Sequence, residues 1–290
     1  MERPVAFIGF GEAAMTFADG LPVRPRAYDR KAAADATRRA KLAEYERHGV
    51  DGKLDNAAAT TGSAVILSLV TADCSLIAAR ETAPSLAPGA LFLDMNSVAP
   101  ATKTEAAAIV EQAGGRYVDA AIMAPVRPKA RAAPILLSGA AASDAAGALA
   151  RLGFTAVRVV GERVGQASAI KMIRSVMVKG LEALTTEMIL AADAAGVTDE
   201  VIASLNASWP GTDWASKADY NLDRMMVHGL RRAAEMEEVA KTLDALGTGD
   251  AMTRGTIERQ RAIGALGLAP TDTLSAKIDA VLGRRKDQAA

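Results

Sequence analysis

One short segment constrains the fold of this 290-residue chain more than any other: Val5-Ala6-Phe7-Ile8 running into Gly9-Phe10-Gly11-Glu12-Ala13-Ala14. The apolar run reads as a buried strand reaching to Phe10, and Glu12 to Asp19 reads as the helix that follows. A G-x-G-x-x-A turn between them gives each small residue its own task. Gly9 permits the tight turn, Gly11 lets an outside group approach the backbone, and Ala14 lets the helix pack closely on the sheet. Such a turn, ending at a helix N-terminus with free N–H groups and the positive end of a dipole, suits a pyrophosphate. Gly9, Phe10, Gly11, Glu12, Ala13 and Ala14 are therefore candidate dinucleotide-binding residues.

Asp29 stands 20 residues after Gly9, at the end of a second short strand, Arg26 to Tyr28. An acid at that spacing is placed to accept hydrogen bonds from the adenosine ribose hydroxyls. It also has the form of a helix cap for a segment starting near Lys31. Asp29 would repel a 2′-phosphate, whereas the adjacent Arg30 and Lys31 would attract one; on balance NAD is favoured over NADP.

Beyond that unit, short β-branched runs alternate with Ala-rich helical stretches, the pattern of a parallel sheet wound by helices. Val65 to Val70 is the clearest buried strand; Leu91 to Asp94, Tyr117 to Ala120, Pro134 to Ser138 and Val157 to Val160 follow. Lys31 to Arg47 reads as one charged helix. After Gly161 the pattern changes. One long helix is expected from Val164 to Ala195, then helices at 199–208, 222–246, 251–266 and 273–282. The expected architecture is an α/β Rossmann domain with a mostly parallel, doubly wound sheet over residues 1–162, joined by that long helix to an all-α domain over 163–290.

Composition excludes several classes. Equal numbers of basic and acidic residues, 34 each, provide no field for gathering nucleic acid or anionic membrane. The small basic clusters Arg38-Arg39, Arg231-Arg232 and Arg284-Arg285-Lys286 read as solvated faces. A single cysteine, Cys74, and two histidines, His48 and His228, make a metal site improbable. No apolar run approaches the ~20 residues of a membrane span, and no leader pattern precedes Val5, so a cytoplasmic protein is expected.

The order of motifs resembles the β-hydroxyacid dehydrogenase superfamily, related to 6-phosphogluconate and 3-hydroxyisobutyrate dehydrogenases, in a branch whose C-terminal domain has no settled function. Besides the glycine turn, four segments carry the resemblance. Asp94-Met95-Asn96-Ser97-Val98-Ala99-Pro100 is similar to the family's D-x-S-T-x-x-P, and Tyr117-Val118-Asp119-Ala120-Ala121 stands at its D-A-P-V strand. Gly165 to Lys171 matches its G-x-x-x-x-x-K helix, and His228-Gly229-Leu230 lies near its K-D-L segment.

The resemblance implies hydride transfer between nicotinamide and a hydroxy or oxo acid, with Lys171 as general acid/base. It implies that Asn96 and Ser97 bind substrate or the nicotinamide ribose and amide, that Leu69, Val70 and Thr71 lie along the cofactor, and that the helical domain makes a homodimer. Two departures matter. The family's Ser-Gly-Gly substrate loop is here Met123-Ala124-Pro125, and Pro125 lacks an N–H. Its K-x-x-N is here Lys171-Met172-Ile173-Arg174. Arg174, beside Ser175 on the same helix, is then a candidate to grip a substrate carboxylate in place of the lost loop.

Read from the residues alone, Lys171, Arg174, Ser175, Val178 and Glu182 share one helix face. Lys171, Arg174, Lys179, Glu182 and Glu187 would equally serve as solvated i,i+3 and i,i+4 charge pairs. His228 is a candidate substrate contact from the helical domain, and Trp209, Trp214 and Tyr220 either line an aromatic pocket or pack a helix corner. An imine reductase of the same architecture and a dinucleotide-sensing protein without turnover are the alternative functions.

Overall fold

The computed structural model describes residues 4–283; the cluster Arg284-Arg285-Lys286 lies outside the described residues. Contacts divide the chain into two compact units, one running to Lys171 and the other starting at Met172.

In the first unit β1 (Val5–Ile8), α1 (Glu12–Ala18), β2 (Arg26–Tyr28), α2 (Arg30–Ala33), α3 (Asp35–Arg47), β3 (Asp51–Lys53), α4 (Asn56–Thr60), β4 (Val65–Ser68), α5 (Ser75–Thr82), β5 (Leu91–Asp94), α6 (Pro100–Gln112), β6 (Arg116–Ile122), β7 (Ile135–Ser138), α7 (Ala142–Arg151) and β8 (Val157–Gly161) follow in order. The strands form one eight-stranded sheet, β3-β2-β1-β4-β5-β6-β7-β8. Every neighbouring pair is parallel except β6 with β7. The central strands are apolar on both sides because helices cover both faces. Val5 and Phe7, Val65 and Leu67, Leu91 and Leu93 enter one core; Ala6 and Ile8, Ile66, and Phe92 enter the other. This period of two is the pleat of the strands. The result is the doubly wound Rossmann sheet expected from the alternating pattern.

Three local differences have physical causes. The helix expected over 31–47 is interrupted at Ala34, whose backbone is extended. Side chains of the next turn take up the carbonyls this break frees: Thr37 Oγ1 donates to Lys31 O at 2.7 Å, and Arg38 donates to Ala32 O at 3.0 Å and Ala33 O at 2.8 Å. β3 is a strand without a single apolar residue, Asp-Gly-Lys, held in register by β2 at the sheet edge. β1 and β4 end at Ile8 and Ser68, short of the expected Phe10 and Val70, because the residues beyond form the loops described below.

α8 (Gln166–Ala194) begins in the first unit and continues into the second, which adds α9 (Thr198–Ser208), α10 (Trp214–Leu246), α11 (Ala251–Ala265) and α12 (Leu274–Val281). All its described elements are helices. α10 starts eight residues before the expected Leu222, where Asp213 accepts a hydrogen bond from Ser216 N at 3.1 Å as its cap. Gly247, at φ 66°, ends it.

α10 and α11 touch backbone to backbone. A Cβ on Gly229 would stand 2.8 Å from Gly264 Cα. Lys179, Glu182 and Glu187 of α8 reach across to these helices. Lys179 meets Glu235 at 2.7 Å, Arg232 Nε donates to Glu182 at 2.8 Å, Gln260 donates to Glu182 at 2.9 Å, and Arg259 meets Glu187 at 2.6 Å. Arg232 is thus a buried partner of Glu182 and not part of a solvated cluster. Trp209 and Trp214 pack edge to face at 5.8 Å, with Trp209 and Tyr220 exposed. Among the described residues no helix is long and apolar enough to cross a membrane.

Candidate functional site

The β1–α1 turn presses on the loop leaving β4. Gly9 has φ 82°, and a Cβ there would meet the Leu69 carbonyl carbon at 2.8 Å and Val70 Cγ1 at 2.9 Å. Only glycine suits that backbone and that gap. Gly11 is the opposite case: it is exposed, and a Cβ would find no atom within 4 Å. The first bond of α1 runs from Met15 N to Gly11 O at 2.9 Å, so the N–H groups of Glu12, Ala13 and Ala14 stand outside the helix ladder. Ala14 is fully buried against the sheet. Open space over Gly11 beside free helix N–H groups fits a dinucleotide diphosphate; the exposed Glu12 is the adverse charge at this edge.

Asp29 is tied to backbone at both its oxygens. Its Oδ2 accepts from Phe10 N at 2.9 Å, and its Oδ1 accepts from Lys31 N at 2.9 Å as the cap of α2. From α3, the buried Lys41 donates to Phe10 O at 2.9 Å. The Phe10 ring points inward, with Phe7 at 6.2 Å and Tyr45 at 5.1 Å between ring centres. Burial, reinforced by the negative charge of Asp29, raises the Tyr45 phenol pKa, so Tyr45 stays neutral. Arg30 Nη1 lies 3.2 Å from Cys74 Sγ, and Lys31 is exposed. Thr71 is exposed on the loop after β4, and its hydroxyl holds the Asp73 carboxyl below the usual range.

The end of β5 is built on a buried polar network. Asn96 Oδ1 accepts from Val70 N at 2.7 Å, while its Nδ2 donates to Ser68 Oγ at 3.0 Å and Ser75 Oγ at 3.3 Å. Asn96 is 4% exposed, so its amide binds the loops after β4 and β5 to one another. Asp94 accepts from Asn96 N at 2.9 Å, Ser75 Oγ at 3.1 Å and Tyr117 OH at 2.7 Å. Burial, with Asp94 beside it, raises the Tyr117 pKa well above the usual value and keeps this phenol a donor. Lys103, wholly buried on α6, reaches Asp94 O at 2.5 Å, Asp94 Oδ1 at 3.0 Å and Asp119 Oδ1 at 3.5 Å. The other oxygen of Asp119 accepts from Ser138 Oγ at 3.1 Å, Gly165 N at 3.1 Å, Ser168 N at 2.9 Å and Ser168 Oγ at 3.0 Å. That carboxylate pins the first turn of α8 to β6. Lys171 is half-buried one turn further along the same helix.

Gly9, Gly11, Leu69, Val70, Asp29 and Asn96 are therefore brought to one side of the sheet, at the carboxyl ends of its parallel strands, where α/β sheets bind ligands. Ser97 follows Asn96; its Oγ is buried without a hydrogen-bond partner among the described residues. Met123, Ala124 and Pro125 leave β6, with Met123 N bonded to Pro134 O at 2.8 Å. In the second unit Arg174 is exposed, Ser175 buried, and His228 half-buried on α10.

Sequence reasoning missed Lys41, Lys103 and the anchoring part of Asp119. For Lys103 a signal existed: it falls on the buried face of α6 with Ala106, Ala107 and Val110, where an unpaired cation would be costly. No group of His, Cys, Asp and Glu among the described residues could hold a metal ion.

Residues 192–263 match the model of a domain of unknown function, DUF1932. The chain is similar to the crystal structure of a conserved hypothetical protein from Sinorhizobium meliloti 1021, 39% identical over 98% of this chain and 97% of that one, TM-score 0.77. It is also similar to a conserved protein of unknown function described as structurally similar to 3-hydroxyacid dehydrogenases, 30% identical over 92% and 100% of the two chains, TM-score 0.69. A 3-hydroxyisobutyrate dehydrogenase from Mycobacterium tuberculosis shares the fold at 16% identity, covering 97% and 99%, TM-score 0.74. Since the likeness spans nearly the whole chain, this chain belongs to the β-hydroxyacid dehydrogenase superfamily.

Proposed function

We propose that the chain is an NAD(P)-dependent oxidoreductase that moves a hydride reversibly between nicotinamide and a hydroxy or oxo acid. The observation that carries this reading is the open glycine backbone at Gly11, set beside the Val70–Asn96 wall at the carboxyl ends of the strands. Proteins of the same fold bound to NADP+ or NADPH support the cofactor class. NADP(H) suits the site better than NAD(H). Arg30 and Lys31 stand exposed beside Asp29, placed to attract a 2′-phosphate.

The dinucleotide supplies the hydride acceptor or donor. The loop from Gly9 to Ala14 holds its diphosphate through backbone N–H groups, and Leu69, Val70 and Thr71 line its path. Asn96 acts by fixing these loops, and Ser97 beside it is assigned to substrate. Lys171 takes the proton from the substrate hydroxyl during oxidation and returns it during reduction. Arg174 is assigned the substrate carboxylate because Pro125 has replaced a backbone donor in the family's loop. The helical unit is assigned to a homodimer; Ile173, Met177 and Leu184 recur on exposed α8 at helical spacing, and sedimentation reads the mass directly.

The test is titration of NADH and NADPH into the protein by nicotinamide fluorescence, then turnover on a panel of hydroxy acids, oxo acids and cyclic imines. Hydroxy-acid turnover that falls at least about a hundredfold in Lys171→Ala, with cofactor affinity unchanged, is the expected result. Turnover of imines alone would establish the imine reductase alternative. Tight cofactor binding without turnover of any substrate would establish a sensor, and binding of neither nucleotide would sink the reading.

A further inference from the structure

We infer that Asp29 and Lys41 are positioning residues that aim the cofactor loop from behind. The inference rests on the dinucleotide reading and deepens it. Phe10 is held at both its polar atoms by side chains from distant parts of the chain: its N–H by Asp29 Oδ2 at 2.9 Å and its carbonyl by Lys41 Nζ at 2.9 Å. Gly9 N–H is held as well, by Tyr28 O at 2.8 Å. The Phe10 ring is wedged against Tyr45 with no exposed surface, so the residue cannot turn to free these groups.

The direction of the pull matters. The Phe10–Gly11 peptide is not among the cis bonds, so its carbonyl and the Gly11 N–H point opposite ways. Drawing the Phe10 carbonyl inward onto Lys41 turns the Gly11 N–H outward, over the open space where a Cβ on Gly11 would meet nothing. Lys41 is only 5% exposed and is paired with Glu44, so it offers little charge of its own to an anion outside. Its contribution is the orientation of one peptide.

Removing the Asp29 charge relieves repulsion of a 2′-phosphate whether or not it touches the ribose, so Lys41, which bonds the loop from behind, is the decisive position. Loosening the loop weakens grip on the diphosphate, which both nucleotides share. The experiment measures dissociation constants for NADH and NADPH by nicotinamide fluorescence on wild type, Asp29→Asn, Lys41→Met and Lys41→Arg, each with a thermal melt. We expect Lys41→Met to weaken both nucleotides about tenfold, with the ratio of the two constants moving by less than about twofold, and Asp29→Asn to weaken NADH by a similar factor. Lys41→Arg, which keeps the donor, should stay within about threefold of wild type.

Unchanged constants in Lys41→Met overturn the inference, as does an unchanged NADH constant in Asp29→Asn. Should Lys41→Met fail to fold, the NADH constant of Asp29→Asn decides alone. Wild type that binds neither nucleotide would instead overturn the dinucleotide reading, and this inference with it.

Discussion

At the scale of single residues, the glycines and Asp29 were legible in the sequence because their spacing is local, whereas what they touch was not. Asp29 was readable both as a ribose acceptor and as a cap. The structure shows the cap at Lys31 N and adds the bond to Phe10 N, across 19 residues. Lys41 and Phe10 lie 31 residues apart, and nothing in either segment announces the contact. Lys103 makes the same point with more at stake. It is a wholly buried cation between two wholly buried carboxylates, and removing it leaves Asp94 and Asp119 facing each other without a counter-charge. Lys103→Met should cost about 3–5 kcal/mol in urea denaturation. Adding Asp119→Asn should recover part of that loss, since one buried charge then goes with the other. A double variant as unstable as the sum of the two single changes would show that the charges do not couple.

At the scale of elements, the apolar strands were readable from their runs. β3 was not, because register with β2, and not its own side chains, makes it a strand. The long helix α8 was legible through Gly180, which sits inside it where a Cβ would have only Thr256 Oγ1 near, at 3.8 Å. Gly229 looks the same in the sequence and differs in its surroundings, since Gly264 faces it. Gly180→Ala should therefore leave stability unchanged or raise it by up to about 1 kcal/mol. Gly229→Ala should lower it by about 1–3 kcal/mol, because the helices must part. Equal melting shifts for the two would refute the close crossing.

Between α8 and α10 burial holds the Lys179 ammonium below the usual lysine range, with Glu235 pulling the other way. A lysine whose folded pKa is depressed binds fewer protons folded than unfolded, so stability rises as pH climbs from the folded value towards the ordinary one. Glu235→Gln removes the opposing pull. It should destabilise the protein at pH 7 by about 3 kcal/mol and recover towards pH 10 more steeply than wild type. Parallel stability profiles would show that the pair carries no such linkage.

At the scale of the whole molecule, each unit has its own apolar core. Among the described residues, the clusters of the sheet unit draw on residues up to Ala167, and those of the helical unit on Met172 onward. The glycine turn, Asp29 and Asn96 all belong to the sheet unit, while both tryptophans, Trp209 and Trp214, belong to the helical one. Tryptophan emission therefore reports one unit and calorimetry reports both. A nucleotide that binds the glycine turn stabilises the unit that holds it, by about 2.7 kcal/mol at a hundred times its dissociation constant. For a unit of this size that amounts to roughly 5 °C or more in melting temperature. With saturating NADP+, the calorimetric transition of the sheet unit should rise by that amount while the transition followed by tryptophan emission rises by much less. If the two rise together, the units unfold as one cooperative body and the separate cores do not act separately. If only the tryptophan transition rises, the nucleotide binds in the helical unit, and the glycine turn is not its site.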